Sequence, residues 1–97
     1  MNPAFDWDDA SVRHIALDGI TPIEVEQSTL DEKAVLLELQ SVKDEERVQL
    51  VGMTPAGRLL AVVFTMRGEA IRPVTSYPAT RVQQLEYLRQ WKYDSEE

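Results

Sequence analysis

Two arginines at apolar stretches have the type and spacing that suit chemistry on a phosphate. Arg58 comes directly before the apolar run 59–64, and Arg72 lies in the next apolar stretch. If these stretches are neighbouring strands of a hairpin, the two guanidinium groups can lie close together on one surface. Such a pair would bind a phosphate and stabilise the extra charge of a phosphoryl transition state. The alternative interpretation is that both arginines are solvated strand residues.

Other kinds of site have little support in the sequence. His14 is the one histidine and there is no cysteine, so metal-ligand spacing is missing and we expect no metal. The four glycines are scattered singly at turns, which gives no phosphate-cradling loop and no expected cofactor. We interpret the acidic run DWDD at 6–9 as helix capping rather than as paired catalytic carboxylates.

The composition fits one small domain. The 97 residues are 43% hydrophobic, which allows a single modest core over residues 1–97 without disulfides or metal. The absence of cysteine gives no sign of an oxidising compartment. The longest apolar stretch is much shorter than a spanning helix, and the acidic N-terminus is unlike a signal peptide. We therefore expect a cytoplasmic protein that does not enter a membrane.

Charge is distributed unevenly along the chain. The net charge of −7 argues against broad affinity for nucleic acids. Residues 1–48 hold twelve Asp and Glu against four Lys and Arg, whereas residues 49–93 hold two against six. The second part is therefore locally basic, and the acidic first part could bind a basic partner.

Start signals predict two helices in the first third of the chain. Asp8 and Asp9 precede a stretch of helical periodicity that ends before Gly19. The second helix has Thr21 as its N-cap, Pro22 at its first position and a glutamate three residues after the cap, which completes a capping box.

Four strands are predicted next, followed by a last helix. Period-two alternation begins at Ala34, and the polar segment 41–47 and two later turns separate the strands. Connections this short imply an antiparallel meander, and Pro73 predicts that its strand lies at an edge or points that position away from the neighbouring strand. After a capping box of Thr80 and Gln83, an apolar stripe is predicted to close over the sheet: Val82, Leu85, Leu88 and Trp91. The fold class is α+β, with two N-terminal helices, a four-stranded antiparallel sheet and a C-terminal helix.

The order of elements and three motifs resemble a known family. The opening has Phe5, Trp7 and Asp8 in an F-x-W-D pattern, with His14 at an Asn/His position and Gly19–Ile20 at its end. The later motifs are a Gly-Arg pair before a hydrophobic run and an Ile-Arg strand that ends in Ser or Thr. They are matched by Gly57, Arg58, Ile71, Arg72, Val74 and Thr75.

In these residues the chain resembles the BrnT toxins of bacterial type II toxin-antitoxin systems, which are small ribonucleases with a RelE-like fold. The resemblance implies metal-independent RNA cleavage assisted by strand arginines, with the 2′-hydroxyl of the RNA as nucleophile. It also implies an antitoxin partner of ribbon-helix-helix type. Arg58 and Arg72 would then bind RNA together with Arg81, and His14 or Tyr77 would transfer protons.

Three basic positions of the family pattern are occupied by other residues: Leu17, Asp18 and Tyr77. Asp18 also adds negative charge where RNA would approach. The resemblance therefore implies a ribonuclease that is weakened or inactive. The alternative interpretation is a non-catalytic module that keeps the fold in order to bind a partner protein or a second copy of itself.

Overall fold

A computed structural model describes residues 3–95 and confirms the α+β fold. Two short helices are followed by four strands and a longer helix. These elements are α1 (Asp9–Ala16), α2 (Pro22–Thr29), β1 (Val35–Val42), β2 (Glu45–Met53), β3 (Leu59–Arg67), β4 (Ala70–Pro78) and α3 (Arg81–Ser95). None of the helices between residues 3 and 95 has the length and apolar content that crossing a bilayer requires.

The helix starts are formed by the residues that the sequence predicts. Asp8 caps α1, and its carboxylate accepts a hydrogen bond from the Ser11 backbone N–H at 2.7 Å. Thr21 and Glu24 form a complete capping box at the start of α2. Because these bonds satisfy backbone donors that a helix start leaves unpaired, local sequence alone fixes where these helices begin.

The strands pair in the order β1-β2-β3-β4, and every pair is antiparallel. The sheet is therefore the predicted meander. The predicted loop at 41–47 is wrong in extent, because strands β1 and β2 continue to a turn of only Lys43 and Asp44. Both turn residues have positive φ angles, 50° and 65°, which is the backbone of a type I′ hairpin turn.

Two groups of buried side chains lie on opposite faces of the sheet. The first packs α1 and α2 against the sheet and consists of Ile15, Ile20, Val25, Leu50, Leu60 and Val62. The second contains Val51, Ala79 and Tyr87, under α3. Leu50 and Val51 are neighbours in β2 and belong to different groups, since successive strand residues point to opposite faces.

Helix α2 lies against β2 at a point where only glycine fits. A Cβ atom on Gly52 would lie 1.9 Å from the backbone oxygen of Ser28. The backbone of Ser28 cannot move aside without shifting α2, so the absence of a side chain at Gly52 sets how closely helix and sheet approach.

The sequence predicts the wrong side of the last helix to face the sheet. The residues of the predicted stripe are exposed by 69%, 57%, 42% and 49% (Val82, Leu85, Leu88 and Trp91). Tyr87 faces the sheet instead, with 4% exposure, and donates a hydrogen bond to Asp31 at 2.6 Å. Burial, together with this carboxylate, raises the pKa of Tyr87. The buried Tyr87 and its bond to Asp31 therefore mark the side of α3 that faces the sheet.

Candidate functional site

The segment before α1 lies along the outer edge of β4. Phe5 forms a parallel bridge with Ile71, and the Asp6 backbone N–H donates to the Ile71 carbonyl at 2.8 Å. The Ile71 N–H donates in turn to the Ala4 carbonyl at 2.9 Å. β4 is an edge strand of the sheet, as Pro73 predicts, and this segment covers part of that edge.

Arg72 is held between two carboxylates of this segment. Its guanidinium lies 3.1 Å from Asp6 and 2.6 Å from Asp8. The Arg72 side chain is 23% exposed, so water reaches the pair only in part. The hydrogen bond from the Ser11 backbone, with a further contribution from Arg72, lowers the pKa of Asp8 below its usual value of 3.8. Asp8 therefore fixes both the start of α1 and the position of Arg72.

A shallow groove lies between α1 and β4, next to Arg72. We call it the α1–β4 groove; it is lined by Ala10, Ser11, His14, Val74 and Thr75 and encloses about 390 Å³. Its floor is fixed by the Ser11 hydroxyl, which donates to the Pro73 carbonyl at 3.2 Å.

His14 lines this groove from α1, whereas Arg72 lies outside its lining, in the same strand as Val74 and Thr75. His14 is exposed on α1, six residues after Asp8, which is about 9 Å along a helix axis. Arg72 precedes Val74 by two residues, about 7 Å along a strand. Arg72 is therefore near the groove along β4 but does not form one of its walls.

Arg58 lies elsewhere, and the prediction of a cleft shared by Arg58 and Arg72 is wrong. Arg72 is paired with Thr65 in the β3–β4 hairpin. Arg58 precedes Thr65 by seven residues, which is about 23 Å along a strand. The two arginines stand at opposite ends of β3, because the hairpin turn at Gly68 pairs the end of β3 with the start of β4.

The guanidinium of Arg58 is bound to the connection between α1 and α2. It donates to the carbonyls of Gly19 at 2.9 Å and Asp18 at 3.3 Å, and it lies 3.2 Å from the Glu24 carboxylate. The hydrogen bond from the Thr21 backbone, with contributions from Arg58, lowers the pKa of Glu24 below its usual value of 4.5. These contacts attach the helical layer to the sheet.

Tyr77 and Arg81 are not brought to the groove. Tyr77 pairs with Ala61 on the face toward α3, where its hydroxyl accepts hydrogen bonds from Gln49 at 2.6 Å and Gln83 at 3.0 Å. Arg81 is exposed at the first position of α3. Of the candidates from the sequence, only His14 lines the groove, and Arg72 lies two residues before its lining residue Val74.

Sequence reasoning missed the carboxylates that hold Arg72. The run DWDD was interpreted as capping alone, which Asp8 confirms. Asp6 and Asp8 also alternate around Trp7, whose indole N–H donates to Glu26 at 2.9 Å. In an extended segment, residues two apart share one side, so this alternation is a signal that could have indicated a clamp around an arginine.

The comparison with known proteins agrees with the motifs. The model of a family described as the ribonuclease toxin BrnT of type II toxin-antitoxin systems matches residues 7–82. A search among curated proteins found no match. The matched part runs from Trp7, through the α1–β4 groove and both strand arginines, to the second residue of α3. It covers most of the chain, and the protein therefore belongs to the BrnT family of type II toxin-antitoxin ribonuclease toxins.

Proposed function

We propose that the chain is the toxin of a type II toxin-antitoxin module and that it cleaves RNA weakly, without a metal, at the α1–β4 groove. The family supplies the class of activity. The observations that support the proposed site are that His14 lines the groove and that Arg72, held by Asp6 and Asp8, lies in β4 two residues before the lining residue Val74.

The proposed reaction is an internal transfer within the RNA. His14, as neutral imidazole, takes the proton of a 2′-hydroxyl, and the 2′-oxygen attacks the adjacent phosphorus. The bond from phosphorus to the 5′-oxygen breaks, and His14 returns the proton to that leaving oxygen. The products are a 2′,3′-cyclic phosphate and a free 5′-hydroxyl. Arg72 binds the phosphate oxygens and stabilises their added charge in the transition state.

The proposed weakness follows from the charges around Arg72. A phosphate must compete with two carboxylates for the same guanidinium, and the overall charge of −7 repels RNA at a distance. Leu17 and Asp18, at two places where the family has basic residues, are exposed and add no positive charge. We therefore expect slow turnover and strong inhibition by salt.

We further propose that the partner is an antitoxin of ribbon-helix-helix type and that the module acts on cytoplasmic RNA. An antitoxin partner is implied by the family. The ribbon-helix-helix type is what the family resemblance implies, and the excess of carboxylates in residues 1–48 is compatible with a partner that also has a basic region.

The test uses a short labelled RNA in the presence of EDTA. We expect slow cleavage to a 2′,3′-cyclic phosphate, and no cleavage of the same oligonucleotide with 2′-O-methyl groups. His14→Ala should lower the rate by about a hundredfold, a typical loss for an acid-base group. Arg89→Ala, on the exposed part of α3, is the control for a lost surface charge.

Two results would overturn parts of the proposal. If Tyr77→Phe stops cleavage and His14→Ala does not, proton transfer belongs to the other face of the sheet. If the folded protein neither cleaves RNA nor arrests growth on expression, the chain is a non-catalytic member of the family.

A further inference from the structure

Helix α3 turns a mixed apolar and cationic surface to the solvent. Among the described residues of α3, six lie within about 60° of Leu85 around the helix axis, Leu85 included. This outward face of α3 consists of Arg81, Val82, Leu85, Leu88, Arg89 and Lys92. All six are exposed, whereas Tyr87 on the opposite side of the helix is 4% exposed.

The apolar residues of this face are exposed to the solvent rather than buried against the rest of the protein. Val82, Leu85 and Leu88 are exposed by 69%, 57% and 42% and follow one another at intervals of three residues. Adjacent apolar residues on one helix form a continuous strip, which indicates a binding surface more than scattered single residues do. Helix packing uses such strips, with side chains at helical spacing inserted into a facing groove or helix.

The charge of this face is opposite to that of the protein. Arg81 lies at its start and Arg89 and Lys92 at its end, and it contains no carboxylate, although the chain has a net charge of −7. Glu86, at the border of the face, lies 3.1 Å from Arg89 in an exposed pair. A ligand with carboxylates at both ends of an apolar strip would complement this pattern.

We propose that the outward face of α3 binds an amphipathic helix of the antitoxin, with an apolar stripe flanked by Asp and Glu. This inference rests on the proposed function, because it locates the partner of that module. The bound helix would cover Val82, Leu85 and Leu88, and its acidic residues would lie near Arg81, Arg89 and Lys92.

Charge and apolar exposure favour this ligand over two others. A second copy of α3 packed antiparallel would bring Arg81 close to Lys92 of the second copy, so like charges would meet at both ends. An RNA backbone would use the cations but would leave the apolar strip unpaired. An acidic amphipathic helix satisfies both parts of the surface.

The site is separate from the α1–β4 groove, because α1 and α3 pack on opposite faces of the sheet. Substitutions on the outward face of α3 should therefore change partner binding while RNA cleavage stays the same.

The experiment measures binding of the full chain to the protein encoded by the neighbouring gene, by calorimetry at low and at high salt. Leu85→Asp should weaken the complex by about thirtyfold, as expected for a residue at the centre of an interface. Arg89→Glu should weaken it less, and its effect should shrink as salt rises. The control is Ile23→Asp on α2, which places the same charge at an apolar residue that is 67% exposed on the other face. Ile23→Asp should leave the affinity unchanged.

The outcomes separate this inference from the proposed function. If the wild-type chain binds the neighbouring protein and Leu85→Asp binds equally well, the docking proposal is wrong and the toxin-antitoxin proposal stands. If the wild-type chain does not bind at all, the proposed partner and this inference both fail. If Leu85→Asp instead dissociates a homodimer, or Arg89→Glu reduces only RNA binding, the face serves a second copy or RNA and the inference is overturned.

Discussion

Arg58 and Arg72 have the same side chain and similar places in the family pattern, but they are held in different ways. Arg58 donates to two backbone carbonyls and pairs with one carboxylate, Glu24. Arg72 contacts two carboxylates, Asp6 and Asp8, beside a groove that contains a histidine. Carbonyls are permanent acceptors at a fixed turn, whereas carboxylates can be displaced by another anion.

The difference shows why position in a strand does not by itself make an arginine functional. A phosphate that bound Arg58 would have to displace its guanidinium from the carbonyls of Asp18 and Gly19 and from the Glu24 carboxylate, which together hold it at the α1–α2 turn. A phosphate that binds Arg72 exchanges one kind of anionic contact for another. Arg58 thus stabilises the junction of helices and sheet, while Arg72 is the arginine that we propose for chemistry.

The largest expected effect is on cleavage by Arg72→Ala. We expect kcat/KM for RNA to fall by about a hundredfold to a thousandfold, which corresponds to about 2.7–4 kcal/mol for one lost stabilising donor. The measurement is initial-rate cleavage of labelled RNA, with circular dichroism to confirm that the variant is folded.

Arg58→Ala is the matched variant for this experiment. It should lower the free energy of unfolding by about 1–2 kcal/mol, since the charged hydrogen bonds to the α1–α2 turn are lost, and leave cleavage by the folded fraction unchanged. Equal losses of cleavage in both variants, with equal stability, would show that the contrast between the two arginines is mistaken.

A smaller effect on RNA cleavage is expected when one of the two carboxylates that pair with Arg72 is removed. Asp6→Asn removes one carboxylate charge and keeps the shape of the side chain. Cleavage should rise by up to about fivefold, because a half-exposed ion pair contributes up to about 1 kcal/mol. RNA cleavage at fixed salt is the measurement.

Asp18→Asn is the control for that rise. It makes the same change in net charge, and only the backbone carbonyl of Asp18 contacts Arg58. If both variants raise cleavage equally, the cause is the weaker repulsion between RNA and the net negative charge of the protein. The ion pairs of Arg72 with Asp6 and Asp8 would then not limit cleavage.

The fold could be predicted because its signals are local. The cap of α1, the capping box of α2 and period-two alternation depend on residues close together in the sequence, and all are confirmed. The face of α3 could not be predicted in this way. Its apolar stripe suggested contact with the sheet, but Tyr87 is fixed by a hydrogen bond to Asp31, 56 residues earlier in the chain.

The site was predicted in part for the same reason. His14 and Arg72 could be chosen by residue type, but their common groove depends on how α1 packs against β4. The separation of Arg58 from Arg72 follows from the hairpin turn at Gly68, which places Arg72 near the turn and Arg58 at the far end of β3, and the hypothesis of a shared cleft did not take the position of this turn into account. Asp6 was missed because its partner is 66 residues later in the chain.

The smallest expected effect is on the free energy of unfolding at acidic pH. There the contributions of the Asp8 and Glu24 carboxylates can be compared. Both Asp8 and Glu24 have a pKa lowered in the folded protein, from usual values of 3.8 and 4.5. The unfolded chain therefore binds protons at a higher pH than the folded chain does. The stabilisation from each group is complete above its usual pKa and is lost as the pH falls through the lower, folded value.

Urea unfolding between pH 6 and pH 2.5 can separate the two contributions. As the pH falls, the stabilisation from Glu24 should be lost at higher pH than the stabilisation from Asp8. Glu24→Gln should therefore reduce the pH dependence of the free energy of unfolding in the upper part of this range, and Asp8→Asn should reduce it in the lower part. The largest cause of each lowered pKa is a backbone N–H at a helix start, so most of the acid dependence should persist in Arg58→Ala and Arg72→Ala. If either arginine variant removes this acid dependence, the arginine, and not the backbone N–H at the helix start, controls the ionisation of the carboxylate that it contacts.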